Sequence, residues 1–199
     1  MRGNKVMTST DSVPDVLGRR PQRADARRNY EKLIAVARDT FATEGVSASL
    51  EEIARNAGVG IGTLYRHFPT RQDLLESVYA DDVEAVCRSA EEVAILPPWE
   101  ALTTWMFSLV DYLATKRALA EAVNFQSELF QGGRASVHAA GESVLRRAQE
   151  AGMARPEVSF DDVLRLVYGL TMVEYVEAGQ RERVLGMALD GLRTQAPSV

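Results

Sequence analysis

Apolar residues recur every three or four positions along most of this chain, and nowhere do they alternate strictly with polar ones. That period belongs to amphipathic helices, not to half-buried strands. Tyr30, Leu33, Ile34, Ala37 and Phe41 form the stripe of a first helix over 25–44, closed by Gly45. Leu50, Ile53, Ala54 and Ala57 form a second, short stripe. Ser49 precedes it and Glu52 follows three residues later, the spacing of a capping box. Gly58 ends this helix in a left-handed turn, Val59 plugs the turn, and a third helix runs over 61–67. Leu64 and Phe68 turn its inner side to the core, and Pro69 stops it. Thr70 and Asp73 box the start of a fourth helix, whose stripe runs from Leu74 through Val78, Val83 and Cys87 to about residue 92.

After a break at Ile95-Leu96-Pro97-Pro98, Trp99, Leu102, Met106, Leu109, Val110 and Leu113 carry a fifth helix. The pattern then predicts a short helix over 117–124, a loop at Gln131-Gly132-Gly133, and a helix over 134–150 ended by Gly152. Ser159 and Asp162 box a helix running to about residue 178, and Gly179 separates it from a last one over 181–192. The expected fold is all-α. A basic arm over 1–22 reads as disordered, a three-helix unit spans 23–70, and a larger helical domain spans 71–199.

Charge changes the picture of what each half meets. The chain carries 23 Lys and Arg against 28 Asp and Glu. Residues 1–79 hold 12 basic and 10 acidic side chains, net +2, and residues 80–199 hold 11 and 18, net −7. Only the first half suits an anionic partner. The imbalance is small, so geometry must carry most of any nucleic-acid binding. Arg19, Arg20 and Arg23 close the arm and could follow a minor groove. Arg27 and Arg28 sit at a helix start, where cations oppose the dipole, which fits an outside anion or a solvated face.

The string LEEIARNAGVGIGTLYRHF over 50–68 carries the chemistry. Two short helices about a glycine turn let a protein lay one helix in the major groove. With Leu64 and Phe68 inside, Ile61, Thr63, Tyr65, Arg66 and His67 face out, and Gly60 and Gly62 let a partner approach the backbone. Hydroxyls, imidazole and guanidinium bind phosphate oxygens, Arg66 can also reach a guanine edge, and Ile61 can meet a thymine methyl. The free N–H groups near Thr70 and Arg71 make a further phosphate site. A helical hairpin of an unrelated all-helical protein would share the spacing but not this outward set.

GVGIGTLYRHFPTRQDLL resembles the signature of the TetR family of bacterial transcriptional regulators. The resemblance covers residues 25–80 and implies a homodimeric repressor that binds a double-stranded DNA operator and a small-molecule effector. It makes 71–92 the connecting helix between the two domains. With the outward set and the helix-start charge, the expected DNA contacts are Arg28, Ser49, Gly60, Ile61, Gly62, Thr63, Tyr65, Arg66, His67 and Arg71. Gly60 replaces the usual capping serine, and Arg71 replaces a lysine while keeping its charge. Glu51 stands where some relatives carry a cation, and a carboxylate cannot bind phosphate. LRRAQEAGMARPEV and LGMALDGLR resemble C-terminal domains of actinobacterial members.

Two further surfaces come from the apolar pattern of the second half. Wide apolar faces in the last two helices suggest burial from two sides, with Val163, Val167, Leu170, Val184, Leu185 and Leu189 as the dimer interface, although an internal core would show the same pattern. Trp105, Phe107, Tyr112, Phe125, Phe130, Tyr168 and Met172 are candidates to line an effector pocket, although aromatics at this spacing also build cores. Asp81-Asp82 and Asp161-Asp162 read as capping or solvated charge. The single Cys87 permits no intrachain disulfide and reads as a small core residue. No catalytic motif, cofactor loop or metal-ligand spacing appears. No apolar run nears the roughly 20 residues of a membrane span, and no signal peptide is visible, so a cytoplasmic protein is expected. The rival classes are an activator controlled by a protein partner and a helical small-molecule-binding protein without a DNA role.

Overall fold

A computed structural model describes residues 20–120, 122 and 126–194. Most of the expected arm, and Phe125 among the pocket candidates, lie outside the described residues. Eight α-helices occur among those described: α1 Ala24–Glu44, α2 Leu50–Asn56, α3 Ile61–His67, α4 Arg71–Glu92, α5 Pro98–Ala118, α6 Glu128–Glu150, α7 Phe160–Thr171 and α8 Gln180–Leu192. The only extended pairing among the described residues is an isolated bridge, Ala154 to Arg193. Arg155 N–H to Leu192 O (3.0 Å) and Thr194 N–H to Met153 O (3.0 Å) extend it, tying the end of α8 to the α6–α7 loop.

Helices α1, α2 and α3 form an N-terminal bundle, and α5 to α8 form a C-terminal helical domain. Helix α4 packs against α1 on one side and against α5 and α6 on the other. Its length follows from its ends. Thr70 and Asp73 form the full reciprocal capping box, and Val78, Tyr79, Val83 and Val86 are all buried. Helix α7 starts the same way, with Ser159 and Asp162. At α2 the box is half formed. Ser49 accepts the Glu52 N–H, but the Glu52 carboxylate turns away to Arg55 at 2.6 Å.

Three expected boundaries are corrected. Helix α5 runs unbroken to Ala118 and ends in a turn, so no separate helix begins at residue 117, and residues 121, 123 and 124 of the expected 117–124 helix lie outside the described residues. Gln131-Gly132-Gly133 is not a loop, because α6 passes straight through it. Gly133 and Gly141 serve packing. A β-carbon at Gly133 would lie 2.7 Å from the Tyr79 hydroxyl, and one at Gly141 would lie 2.0 Å from the Phe160 ring. Helix α6 can therefore approach α4 and α7 only where these positions lack side chains. Finally, α7 ends at Thr171, seven residues before the expected end near residue 178, and left-handed Gly179 (φ 73°) opens α8.

One core continues from the bundle into the C-terminal domain. Trp105 is fully buried, and its indole N–H donates to Val86 O at 3.0 Å. Tyr79 stacks on Phe130 with ring centres 4.1 Å apart, and its hydroxyl meets the Tyr112 hydroxyl at 3.2 Å. Buried phenols need such partners, and here the pairing joins α4, α5 and α6 at one point.

Candidate nucleic-acid interface

The turn between α2 and α3 is built from backbone bonds. Gly58 takes φ 71°, and Val59 N–H returns to Ala54 O at 3.0 Å. Gly60 then enters α3 with φ −73° and ψ 147°, and its carbonyl accepts from Thr63 N–H at 2.8 Å. No side chain caps this helix, and the space a β-carbon would need at Gly60 is open. Leu64 and Phe68 are both 0% exposed. They fix the rotation of α3 about its axis, so the opposite side is decided too. Ile61 is 37% exposed and Tyr65 45%, with Gly62 and Arg66 beside them and Thr63 half-buried.

His67 lies at the edge of this face. Its ring meets Tyr30 edge-on at 6.0 Å. Burial, and then Arg66, hold its pKa below the usual imidazole value. At neutral pH it therefore offers a hydrogen bond, not a full charge.

Several residues on the same side are already engaged. The Ser49 hydroxyl accepts from Glu52 N–H and donates to the Glu51 carboxylate at 3.1 Å. Hydrogen bonding at its own backbone, then from Ser49, keeps Glu51 below the ordinary carboxylate range, so it stays charged. Arg28 pairs with Asp25 one turn earlier in its own helix, which answers the charge at that helix start from within. Arg71 donates through Nη1 to Val46 O (2.9 Å) and Ala48 O (2.6 Å). Its expected role as an outward phosphate ligand gives way to a clamp between α4 and the segment entering α2. The Thr70 N–H, expected to be free, is taken by the Asp73 carboxylate at 2.9 Å. Arg20, expected in a loose arm, pairs with Asp81 and Glu84 of α4.

Asp82 overturns another expectation. It is 8% exposed and pairs through Oδ1 with Arg38 Nε at 2.6 Å, while Asp81 takes Arg38 Nη2 at 2.7 Å. This links α1 to α4 beside a polar cavity of about 630 Å³ that also meets α5. Burial pushes Asp82 up to about 6, against the opposing pull of Arg38 and Thr115.

In the C-terminal domain the expected residues separate into two groups. Trp105, Tyr112 and Phe130 are core, although Tyr112 and Phe130 also edge cavities. Phe107, Tyr168 and Met172 are exposed, and Tyr168 lines the cavities between α5, α6 and α7. Lys116, Arg117, Arg134 and Arg165 surround that region and were not foreseen. Part of the signal was present, since Asp161, Leu164, Arg165 and Tyr168 share one helical face. Of the expected dimer residues, Val163, Val167, Leu185 and Leu189 are buried within the chain's own core. Leu170 and Val184 are partly exposed, and the open apolar surface beside them comes from Leu166, Val173 and Met187. Cys87 is partly buried, and burial raises its thiol to about 11, which keeps it protonated. No helix among the described residues is long and apolar enough to cross a membrane, and these residues hold no candidate metal cluster.

Comparison with known proteins adds to this geometry. Residues 33–78 match the family described as bacterial regulatory proteins, tetR family. Residues 97–194 match the C-terminal domain described as transcriptional regulator SbtR-like. An HTH-type transcriptional regulator of Staphylococcus aureus is 40% identical over 63 residues, which is 31% of this chain and 34% of that protein. The chain thus matches about a third of the length of its curated relatives. Solved structures match far more widely. A TetR transcriptional regulator from Streptomyces coelicolor is 36% identical, with TM-score 0.73, across 83% of this chain and 99% of that one. A TetR regulatory protein from Mycobacterium vanbaalenii is also 36% identical, with TM-score 0.70, across 87% and 100%.

Proposed function

Because the chain belongs to the TetR family of DNA-binding transcriptional regulators, we propose that it is a cytoplasmic, homodimeric repressor released from a near-palindromic operator by a small molecule. The observation that carries this reading is the face of α3, where buried Leu64 and Phe68 hold Ile61, Gly62, Tyr65 and Arg66 outward. Ile61, Gly62, Thr63 and Tyr65 read base edges, with Arg66 beside them. Tyr65 and His67 also bind phosphate, as hydrogen-bonding groups. Ser49 joins them when phosphate displaces Glu51 from its hydroxyl. Gly60 lets the backbone come close, and Arg28 reaches the duplex by exchanging Asp25 for phosphate. Arg71 acts through its clamp, which makes α4 and the helix-turn-helix move together.

Two copies meet through α7 and α8, with Leu166, Leu170 and Val173 facing Val184 and Met187. This patch replaces the buried valines and leucines as the interface. Each recognition helix then enters one of two successive major grooves, and half-sites lie about one turn or slightly more apart. The effector acts where Tyr112 and Phe130 hold Tyr79, because Tyr79 belongs to α4. A ligand that prefers one packing of this cluster tilts α4 and changes the separation of the two recognition helices. The shift is bounded by its differential affinity for the two states.

The test is selection of bound sequences from a random DNA pool by the full chain. The expected product is one near-palindromic consensus, whose binding Tyr65→Ala weakens at least about tenfold, the loss of roughly 1.4 kcal/mol. Absence of any saturable, sequence-selective site overturns the regulator reading. Unchanged binding by the Tyr65 variant overturns the contact assignment.

A further inference from the structure

Two cavities of about 220 and 300 Å³ lie between α5, α6 and α7, and both are lined by Lys116, Arg134 and Tyr168. They are two lobes of one groove. We propose that this groove is the effector site and that its ligand is an organic anion, an acidic head on a flat apolar body. The inference rests on the ligand-released reading above and deepens it.

The charge of the lining is the first reason. Lys116, Arg117, Arg134 and Arg165 line the groove together with His138, and Asp161 is the one carboxylate among the described lining residues. Asp161 lies 3.6 Å from His138. Residues 80–199 as a whole hold 18 acidic against 11 basic side chains, so an average lining would be acidic. Four of those 11 cations gather here instead.

How the other cations are used is the second reason. Arg88, Arg146, Arg155, Arg181 and Arg183 make ion pairs. Arg147 donates to backbone carbonyls and Arg193 lies over the Trp99 ring. Arg117, Arg134 and Arg165 form no ion pair among the described residues. Burial comes first among the causes that lower the pKa of Lys116, and the like charge of Arg134 comes second, so these two cations feel each other. A bound anion relieves that repulsion, and Arg presents a fork that suits a carboxylate, sulfonate or phosphate head.

The walls supply the rest. Tyr112, Leu113, Val137, Leu164 and Tyr168 give one lobe flat apolar sides, and Phe130 faces the other. Together the lobes fall within the roughly 300–1,000 Å³ of small-molecule sites. Tyr112 and Phe130 are also the residues that hold Tyr79 of α4, so the groove wall and the connecting helix share side chains.

The experiment uses the full-length protein and two dyes with one aromatic body: anionic 1-anilinonaphthalene-8-sulfonate and uncharged N-phenyl-1-naphthylamine. The expected result is saturable fluorescence enhancement by the sulfonate at one site per chain. Arg134→Ala and Arg165→Ala each weaken it about tenfold or more, the usual size of a lost charge-assisted hydrogen bond. Both side chains are exposed, so melting temperatures stay at the wild-type value. Equal affinity for the uncharged dye, or indifference to both substitutions, overturns the proposal. A gel shift with the selected operator separates this from the reading beneath it. Release of DNA by the sulfonate from wild type, but not from the Arg134 variant, supports both. Groove binding without release keeps the anion site and overturns the release mechanism.

Discussion

Replacing Asp82 by asparagine is expected to stabilise the protein at neutral pH, although it removes half of an ion pair. Asp82 is 8% exposed and bonded to Arg38, yet burial raises it from 3.8 to about 6. The desolvation of its charge therefore exceeds the attraction of Arg38, as continuum arguments anticipate for buried pairs. A rise from 3.8 to about 6 corresponds to roughly 3 kcal/mol in favour of the neutral form once folded. Below about pH 4 the carboxyl is protonated in both folded and unfolded chains, and the group contributes nothing. Between about pH 4 and 6 the folded chain binds more protons, so stability from this group falls as pH rises, and above 6 the penalty is complete. A carboxamide keeps an acceptor for Arg38, while Asp81 still holds the guanidinium at 2.7 Å. Its new N–H₂ needs an acceptor where Asp82 Oδ2 now has no partner, and Thr115 is the adjoining hydroxyl. Allowing about 1–2 kcal/mol for imperfect pairing there, Asp82→Asn should gain about 1–2 kcal/mol at pH 7.5. Urea denaturation at pH 7.5 and pH 4.5, read as the difference between variant and wild type, measures it. The gain should shrink toward zero at the lower pH. A variant destabilised by more than about 1 kcal/mol at pH 7.5 would refute the reasoning, as would a difference that ignores pH.

Gly133→Ala is expected to cost about 1–3 kcal/mol, the usual range for overpacking, because its β-carbon meets Tyr79 at 2.7 Å; thermal unfolding checks this. Gly60→Ser has open space and a compatible φ of −73°, so it should raise stability by a few tenths of a kcal/mol through a new cap on α3. Leu166→Glu, at the exposed face of α7, should weaken dimerisation roughly 100-fold in sedimentation, as an unpaired charge buried in an interface does. Val163→Ala, at a position with no exposure, should instead lower stability by about 2 kcal/mol and leave the mass unchanged.

The sequence by itself determined most of the helices, the capped N-termini of α2, α4 and α7, and the face of α3. Those features are local: a capping pair three residues apart, a glycine turn, and an apolar stripe that fixes which side faces inward. Thr70 with Asp73, Ser159 with Asp162, and Leu64 with Phe68 all stand where that logic put them. What it did not determine depended on residues brought from elsewhere in the chain. Gly132-Gly133 read as a loop because nothing nearby shows that Tyr79, more than fifty positions earlier, needs the space at Gly133. Asp82 read as surface charge because its partner Arg38 lies on another helix. Val163 and Val167 read as an interface because an apolar stripe looks the same whether its own core or a second chain covers it. The cations of the groove come from α5, α6 and α7, and their convergence exists only once those helices pack. Periodicity records which side of a helix is buried. The identity of what buries it, and of the charges that meet there, is a property of the assembled fold.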